Sequence, residues 1–211
     1  MDNFKAVLVL KLKDLEALVA KGRAILQSGD VYDSAWDFNK VIKINPDYPG
    51  IYLYRGNTRA LRHPAKGALE DFAEALRRDP GNADIYNGRG IAYSQKGNYE
   101  RAFEEFRTAI RLNADHKIAY YNLGLRQLGN SLYSQAVKNF SEAIKLDPLM
   151  PKVFDQRARA NYFLHKYKQV IADSTRQMKI IPECEDAYER RGNSHEALGN
   201  IRQAARDKNK A

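Results

Sequence analysis

Cysteine is nearly absent: the 211 residues contain one, Cys184. That excludes an internal disulfide framework and a zinc site built from cysteines. A reducing compartment, the cytoplasm, is the expected setting. Long apolar runs are missing too. The longest, Ala6 to Leu10, is far short of the roughly 18–20 residues that a membrane-spanning helix needs. Lys11 and Lys13 interrupt the N-terminal apolar stretch, and no small-residue cleavage pattern follows, so no secretory leader is read there. The histidines His63, His116, His165 and His195 have no second histidine at i+4, so no helical metal pair is encoded. Each reads as a solvated or hydrogen-bonded structural residue. A nucleophile–base–orienter set is also lacking. Cys184 and His195 have nothing beside them to orient a dyad. Gly88-Arg-Gly90 follows no strand and is not a nucleotide loop. Asn139-Phe-Ser141 is a formal glycosylation sequon on a helix face that reads as packed. No catalysis, metal or cofactor is expected.

What the chain does have is internal repetition. Tyr52-Leu-Tyr-Arg-Gly56 aligns with Tyr86-Asn-Gly-Arg-Gly90, Tyr120-Tyr-Asn-Leu-Gly124, Phe154-Asp-Gln-Arg-Ala158 and Tyr188-Glu-Arg-Arg-Gly192, at a step of 34 residues. Leu18-Val-Ala-Lys-Gly22 lies one step upstream. Phe38, Phe72, Phe106 and Phe140 keep the same step, as do Ala68, Ala102, Ala136, Val170 and Ala204. Pro46, Pro80, Pro148 and Pro182 close four of the units. Within a unit, apolar residues recur at helical spacing: Tyr86, Ile91 and Tyr93, then Tyr99, Phe103, Phe106 and Ile110. Gly29-Asp30, Gly97-Asn98 and Gly199-Asn200 read as turns between two helices. Pro64 suits the first turn of a second helix. A single helix pair cannot bury its apolar face, so neighbouring pairs must stack.

This pattern resembles the tetratricopeptide repeat family. The resemblance implies an all-α fold, a right-handed α-solenoid of antiparallel helix pairs with about six repeats. The units fall at 15–48, 49–82, 83–116, 117–150, 151–184 and a partial 185–211 that acts as a C-terminal cap. Residues 1–14 read as the second helix of an incomplete preceding repeat, with Phe4, Val7 and Leu8 in register. A start in mid-repeat suggests a piece of a longer array. Lys208 stands where other units carry an aromatic, which suits a solvent-facing last helix.

Net charge is +9. Residues 151–184 hold seven cations and three anions, yet no run of five like charges occurs anywhere. The surface reads as diffusely basic, with Lys166, Lys168, Arg176 and Lys179 on the outer side. Repeat position 7 carries Lys21, Arg55, Arg89, Leu123, Arg157 and Arg191. Position 23 carries Asp37, Asp71, Glu105, Asn139, Asp173 and Asp207. The one unit lacking the base also lacks the acid, so five inter-helix ion pairs are expected: Lys21–Asp37, Arg55–Asp71, Arg89–Glu105, Arg157–Asp173 and Arg191–Asp207.

In the family, the first helices line a concave ligand face. By repeat position the resemblance assigns to it Arg23, Leu53, Tyr54, Asn57, Asn87, Ile91, Tyr121, Asn122, Leu125, Lys152, Gln156, Arg159, Arg190 and Asn193. Tyr162, Phe163, Asp186 and Glu189 fall at positions of the same face, with inter-repeat packing the alternative for the two aromatics. Its amides can hold a peptide backbone and its tyrosines can anchor side chains. The carboxylate clamp with which some family members hold heat-shock chaperones is incomplete. Asn122 and Lys152 match it, whereas Asn87, Ile91 and Gln156 do not. The implied function is a non-catalytic scaffold holding a protein or peptide ligand in the concave groove. Two alternatives stand beside it: an RNA-binding helical repeat, and a structural subunit that meets an acidic partner through its basic outer face.

Overall fold

The computed structural model describes residues 14–25, 31–61 and 67–211. The proposed cap 1–14 therefore falls almost wholly outside the described residues, as do Gly29-Asp30, His63 and Pro64. Among the described residues there are twelve helices and no strand. We number them α1 (14–25), α2 (Val31–Ile44), α3 (Ile51–Ala60), α4 (Ala68–Arg78), α5 (Ala83–Gln95), α6 (Tyr99–Leu112), α7 (Lys117–Gly129), α8 (Tyr133–Leu146), α9 (Pro151–Phe163), α10 (Tyr167–Ile180), α11 (Glu185–Ala197) and α12 (Ile201–Lys208). The chain forms two compact units, Met1–Leu112 and Asn113–Ala211. Each is an all-α helical-repeat solenoid of antiparallel pairs.

Local chemistry sets the helix ends. Asn82 caps α5 by accepting from the Asp84 N–H at 3.0 Å, and Pro151 opens α9 where no amide donor is needed. The turn between paired helices requires a left-handed residue. Gly97 and Gly199 supply it at φ 76°, whereas Ser131 and His165 occupy the same repeat position at φ 60° and 56°.

In unit 1, α3 packs on α4, α5 on α6, and α5 also on α3 and α4. In unit 2, α7 pairs with α8, α9 with α10 and α11 with α12, while α9 also meets α7 and α8. Phe38, Phe72, Phe106 and Phe140 are fully buried at the centres of their pairs. The reason lies 16 residues earlier. A Cβ at Gly22, Gly56, Gly90 or Gly124 would sit 2.6–2.9 Å from the ring of the facing phenylalanine. Glycine on the first helix is therefore the complement of phenylalanine on the second. The later repeats change both members. Ala158 is matched by the small, buried Ser174, and Gly192 by the stem of Lys208.

Candidate functional site

The expected base–acid positions meet across each pair. Lys21 Nζ lies 3.2 Å from Asp37, and Arg89 Nη2 lies 2.8 Å from Glu105. Arg157 and Arg191 make two-pronged contacts, with Nε and Nη2 at 3.0 and 2.6 Å from Asp173 and at 2.7 and 2.6 Å from Asp207. Arg55 grips Asp71 likewise, and Arg59 adds a second guanidinium at 2.9 Å. The aspartates are buried and the arginines half-buried.

A third partner escaped the sequence reading. The remaining prong of Arg55, Arg157 and Arg191 donates to Asn39 (2.9 Å), Ser141 (3.0 Å) and Thr175 (3.1 Å) of the preceding second helix. Each arginine thus ties its own repeat to the one before. The signal was a polar residue 16 positions upstream, mirroring the acid 16 positions downstream. Arg89 has Ala73 there, and its Nε finds no hydrogen-bond partner among the described residues. Glu105 is one methylene longer than aspartate and leaves Oε2 unpaired. Burial raises its pKa, and the Arg89 hydrogen bond offsets that only in part. In the unit without the pair, amides take over. Asn139 donates to Gln127 at 2.6 Å, and Gln127 donates to Gln135 at 3.2 Å, in the repeat whose Leu123 is buried.

The first-helix residues distribute unevenly. In unit 1, Leu53 lies in the core with Phe72 and Ile85, and Asn87 is also buried, 9% exposed. Both sit where successive helix pairs close on each other, and Leu53 also lines a recess with Tyr48, Tyr52 and Arg78. Tyr54, Asn57 and Ile91 are half-buried. Tyr54 stacks on Phe38, and the Arg23 guanidinium sits 5.2 Å from the Tyr54 ring centroid. Arg23, Tyr48 and Tyr54 line a recess of about 470 Å³ between α1 and α3.

In unit 2, Leu125 packs with Tyr121 around Phe140, and burial raises the Tyr121 pKa, with Asp155 adding to the rise. Asn122 is half-buried and Lys152 is exposed. Arg190 bonds Asp155 at 2.9 Å, Gln156 donates to Asp155 at 2.8 Å, and Arg159 donates to Gln156 at 3.3 Å. This chain of bonds ties α9 to α11. Beside it a cleft of about 250 Å³ opens, lined by Arg159, Tyr162, Phe163, Asp186, Glu189, Arg190 and Asn193. Tyr162 and Phe163 are 40% and 52% exposed, and Phe163 stacks on Tyr133 at 4.7 Å between centroids. The structure thus gathers Arg159, Arg190 and Asn193 into one cleft, apart from Lys152.

The histidines and the thiol have local partners. His116 caps α7, its Nδ1 accepting from the Ala119 N–H at 3.3 Å. His165 Nδ1 lies 3.0 Å from the Tyr167 hydroxyl. Cys184 Sγ accepts from Gln177 at 3.2 Å. Among the described residues no cluster of three metal-ligating side chains occurs, and no helix is long and apolar enough to cross a membrane.

The charge distribution differs from a diffuse basic surface. The exposed residues of α8, α10 and α12 are uncharged or cationic, while the exposed helical carboxylates of unit 2 collect on α11 at Glu185, Asp186, Glu189 and Glu196. Folding separates the signs, because Asp173 and Asp207 turn inward to the arginines.

The family model described as tetratricopeptide repeat matches residues 65–117 and 90–151. No curated protein matches the chain in sequence. Solved structures do match in fold. PilF of Pseudomonas aeruginosa is 20% identical with a TM-score of 0.78, over 92% of this chain and 89% of that one. TTC0263 of Thermus thermophilus is 18% identical with a TM-score of 0.73, over 85% and 98%. YrrB, a repeat protein of this class described as having an unusual peptide-binding site, is 21% identical with a TM-score of 0.68, over 82% and 89%. The helix pairs, the glycine–phenylalanine register and the family match converge: residues 65–151 carry tetratricopeptide repeats, and the described chain has the fold of that family of protein-interaction scaffolds, which is generally non-catalytic.

Proposed function

We propose that unit 2 holds an extended peptide of a protein partner along its first helices, with the cleft between α9 and α11 taking an apolar anchor. The observation that carries this reading is the exposure of Tyr162 and Phe163 at the rim of a cleft that also offers Asn193. Rigid aromatic surface beside an amide suits an anchor side chain and its backbone. Arg159 and Arg190 face Asp186 and Glu189 there, so the flanking residues of the ligand can carry either sign. The peptide-binding site described for YrrB supports the reading by likeness of fold.

Peptides selected from a random display library on the intact chain provide the test. Tyr162→Ala with Phe163→Ala is expected to weaken a selected peptide by roughly tenfold or more, the size of a lost aromatic hot spot. The melting temperature should hold, since both rings are exposed. Undiminished affinity in that variant would move the ligand off this cleft.

A further inference from the structure

We propose that the second-helix face of unit 2 is a docking surface for an acidic protein segment, distinct from the first-helix cleft. The face is strongly polarised. Lys168, Arg176 and Lys179 project from α10, Arg202 and Arg206 from α12, and Lys138 from α8, all exposed. None of these six makes an ion pair or side-chain hydrogen bond among the described residues. Two further cations, Lys145 and Lys208, are held by Glu142 and Glu196 at 2.7 and 2.6 Å. Glu142 is the one carboxylate of these three helices that reaches the surface. The others, Asp173 and Asp207, are each 5% exposed and neutralised by Arg157 and Arg191. The ladder of inner ion pairs therefore strips the outer face of its anions and leaves uncompensated cations on three second helices. Such a field attracts polyanions and speeds their encounter.

Two features select the kind of polyanion. No exposed aromatic ring lies on α8, α10 or α12, so single-stranded bases find no stacking platform. Gln169 and Gln203 are exposed at the same repeat position, beside Lys168 and Arg202. A primary amide both donates and accepts. A peptide backbone satisfies both halves, whereas phosphate oxygens only accept. Cations for carboxylates with interleaved amides for backbone describe a surface for an Asp/Glu-rich chain.

The test uses the full chain and two labelled probes, a poly-glutamate peptide of about 20 residues and an RNA duplex of similar charge, titrated at roughly 50 and 200 mM salt. Poly-glutamate is expected to bind, to weaken with salt, and to bind more tightly than the duplex. Lys168→Glu with Arg176→Glu and Lys179→Glu should lower its affinity by about tenfold or more, as charge pairs with the peptide are lost. Reversing Lys40 and Lys43 of unit 1 should leave it unchanged, as should the Tyr162→Ala, Phe163→Ala variant that tests the cleft. If the reversed triple variant melts early, the glutamine triple at the same positions replaces it. Three results would overturn the proposal: no binding of poly-glutamate, duplex binding as tight or tighter, or equal losses from the unit 1 reversal.

Discussion

The two units share one helix grammar and use charge in opposite ways. In unit 1 the exposed second-helix faces of α4 and α6 interleave signs: Arg77 and Arg78 surround Glu74, and Arg101, Arg107 and Arg111 alternate with Glu100 and Glu104. In unit 2 the second helices are cationic and the anions gather on the first helix α11. Both units commit second-helix acids to the inner pairs; the difference is that α4 and α6 carry further acids outside, at Glu70, Glu74, Glu100 and Glu104, whereas α8, α10 and α12 carry only Glu142. Interleaved charges satisfy one another in place, whereas segregated charges need a partner. A repeat can thus keep its fold and change its outer surface freely, since the pairs that hold the helices together lie inside.

The sharpest way to break the comparison is at those pairs. Arg157→Ala leaves Asp173 buried and unpaired, and should cost about 3–5 kcal/mol in chemical denaturation. Arg157→Leu combined with Asp173→Asn copies the natural Leu123–Asn139 couple and should recover most of that loss. Arg89→Ala in unit 1 should cost clearly less, because Glu105 makes one prong only and its burial already disfavours the charged form. Equal losses at Arg89 and Arg157 would show that the fork and its third partner add nothing.

Glycine contacts give the next contrast. Gly124→Ala drives a Cβ to 2.6 Å from the Phe140 ring, and should destabilise by about 1–3 kcal/mol, the usual range for overpacking. Gly192→Ala meets Lys208 Cγ at 3.2 Å and Asp207 Cβ at 3.3 Å, so it should cost less than Gly124→Ala, with the helix propensity of alanine, up to about 1 kcal/mol, offsetting the contact. Thermal melting of both variants checks the pair.

Turn residues follow. Ser131→Gly should raise stability by about 1 kcal/mol by relieving a left-handed backbone, while Gly97→Ala should lower it by a similar amount. His165→Gly should gain by a similar amount, because each residue gives up a contact with the tyrosine two positions on, Tyr133 at 3.2 Å for Ser131 and Tyr167 at 3.0 Å for His165.

The smallest effect concerns pH. The folded pKa of Glu105 lies above its unfolded value, so the folded state binds the proton more tightly. Its contribution is fully present below the unfolded pKa, near 4.5, and falls as pH rises toward the folded value. Glu105→Gln should therefore flatten the decline of stability above that pH. Asp147 has the opposite sign: Lys117 lowers its pKa, and its contribution disappears as pH falls through the folded value. A denaturation series across acidic pH separates the two.

Much of the fold was legible because the contacts that define it recur at fixed spacing. Phe72 and Gly56, or Arg157 and Asp173, lie 16 residues apart, the lag between facing positions of two paired helices. A constant lag between unlike residue types exposes such a contact in a single chain. The third partners of the arginines share that lag, but Asn39, Ser141 and Thr175 differ in type and so formed no pattern. The burial of Leu53 and Asn87 was not legible for another reason. Repeat position gives the side of a helix, whereas burial depends on how tightly the next pair closes over it. Tyr162 and Phe163 make the same point in the other direction, since α9 ends there and leaves them uncovered.

Sequence by itself determined the helix pairs, their turns and the residues facing across each pair, because all of these follow from local periodicity and complementary size and charge. Only tertiary structure decided which inner-face residues stay open and which carboxylates are removed from the surface. Those outcomes depend on packing between elements far apart in sequence, where burial reassigns a charge from the solvent to a partner.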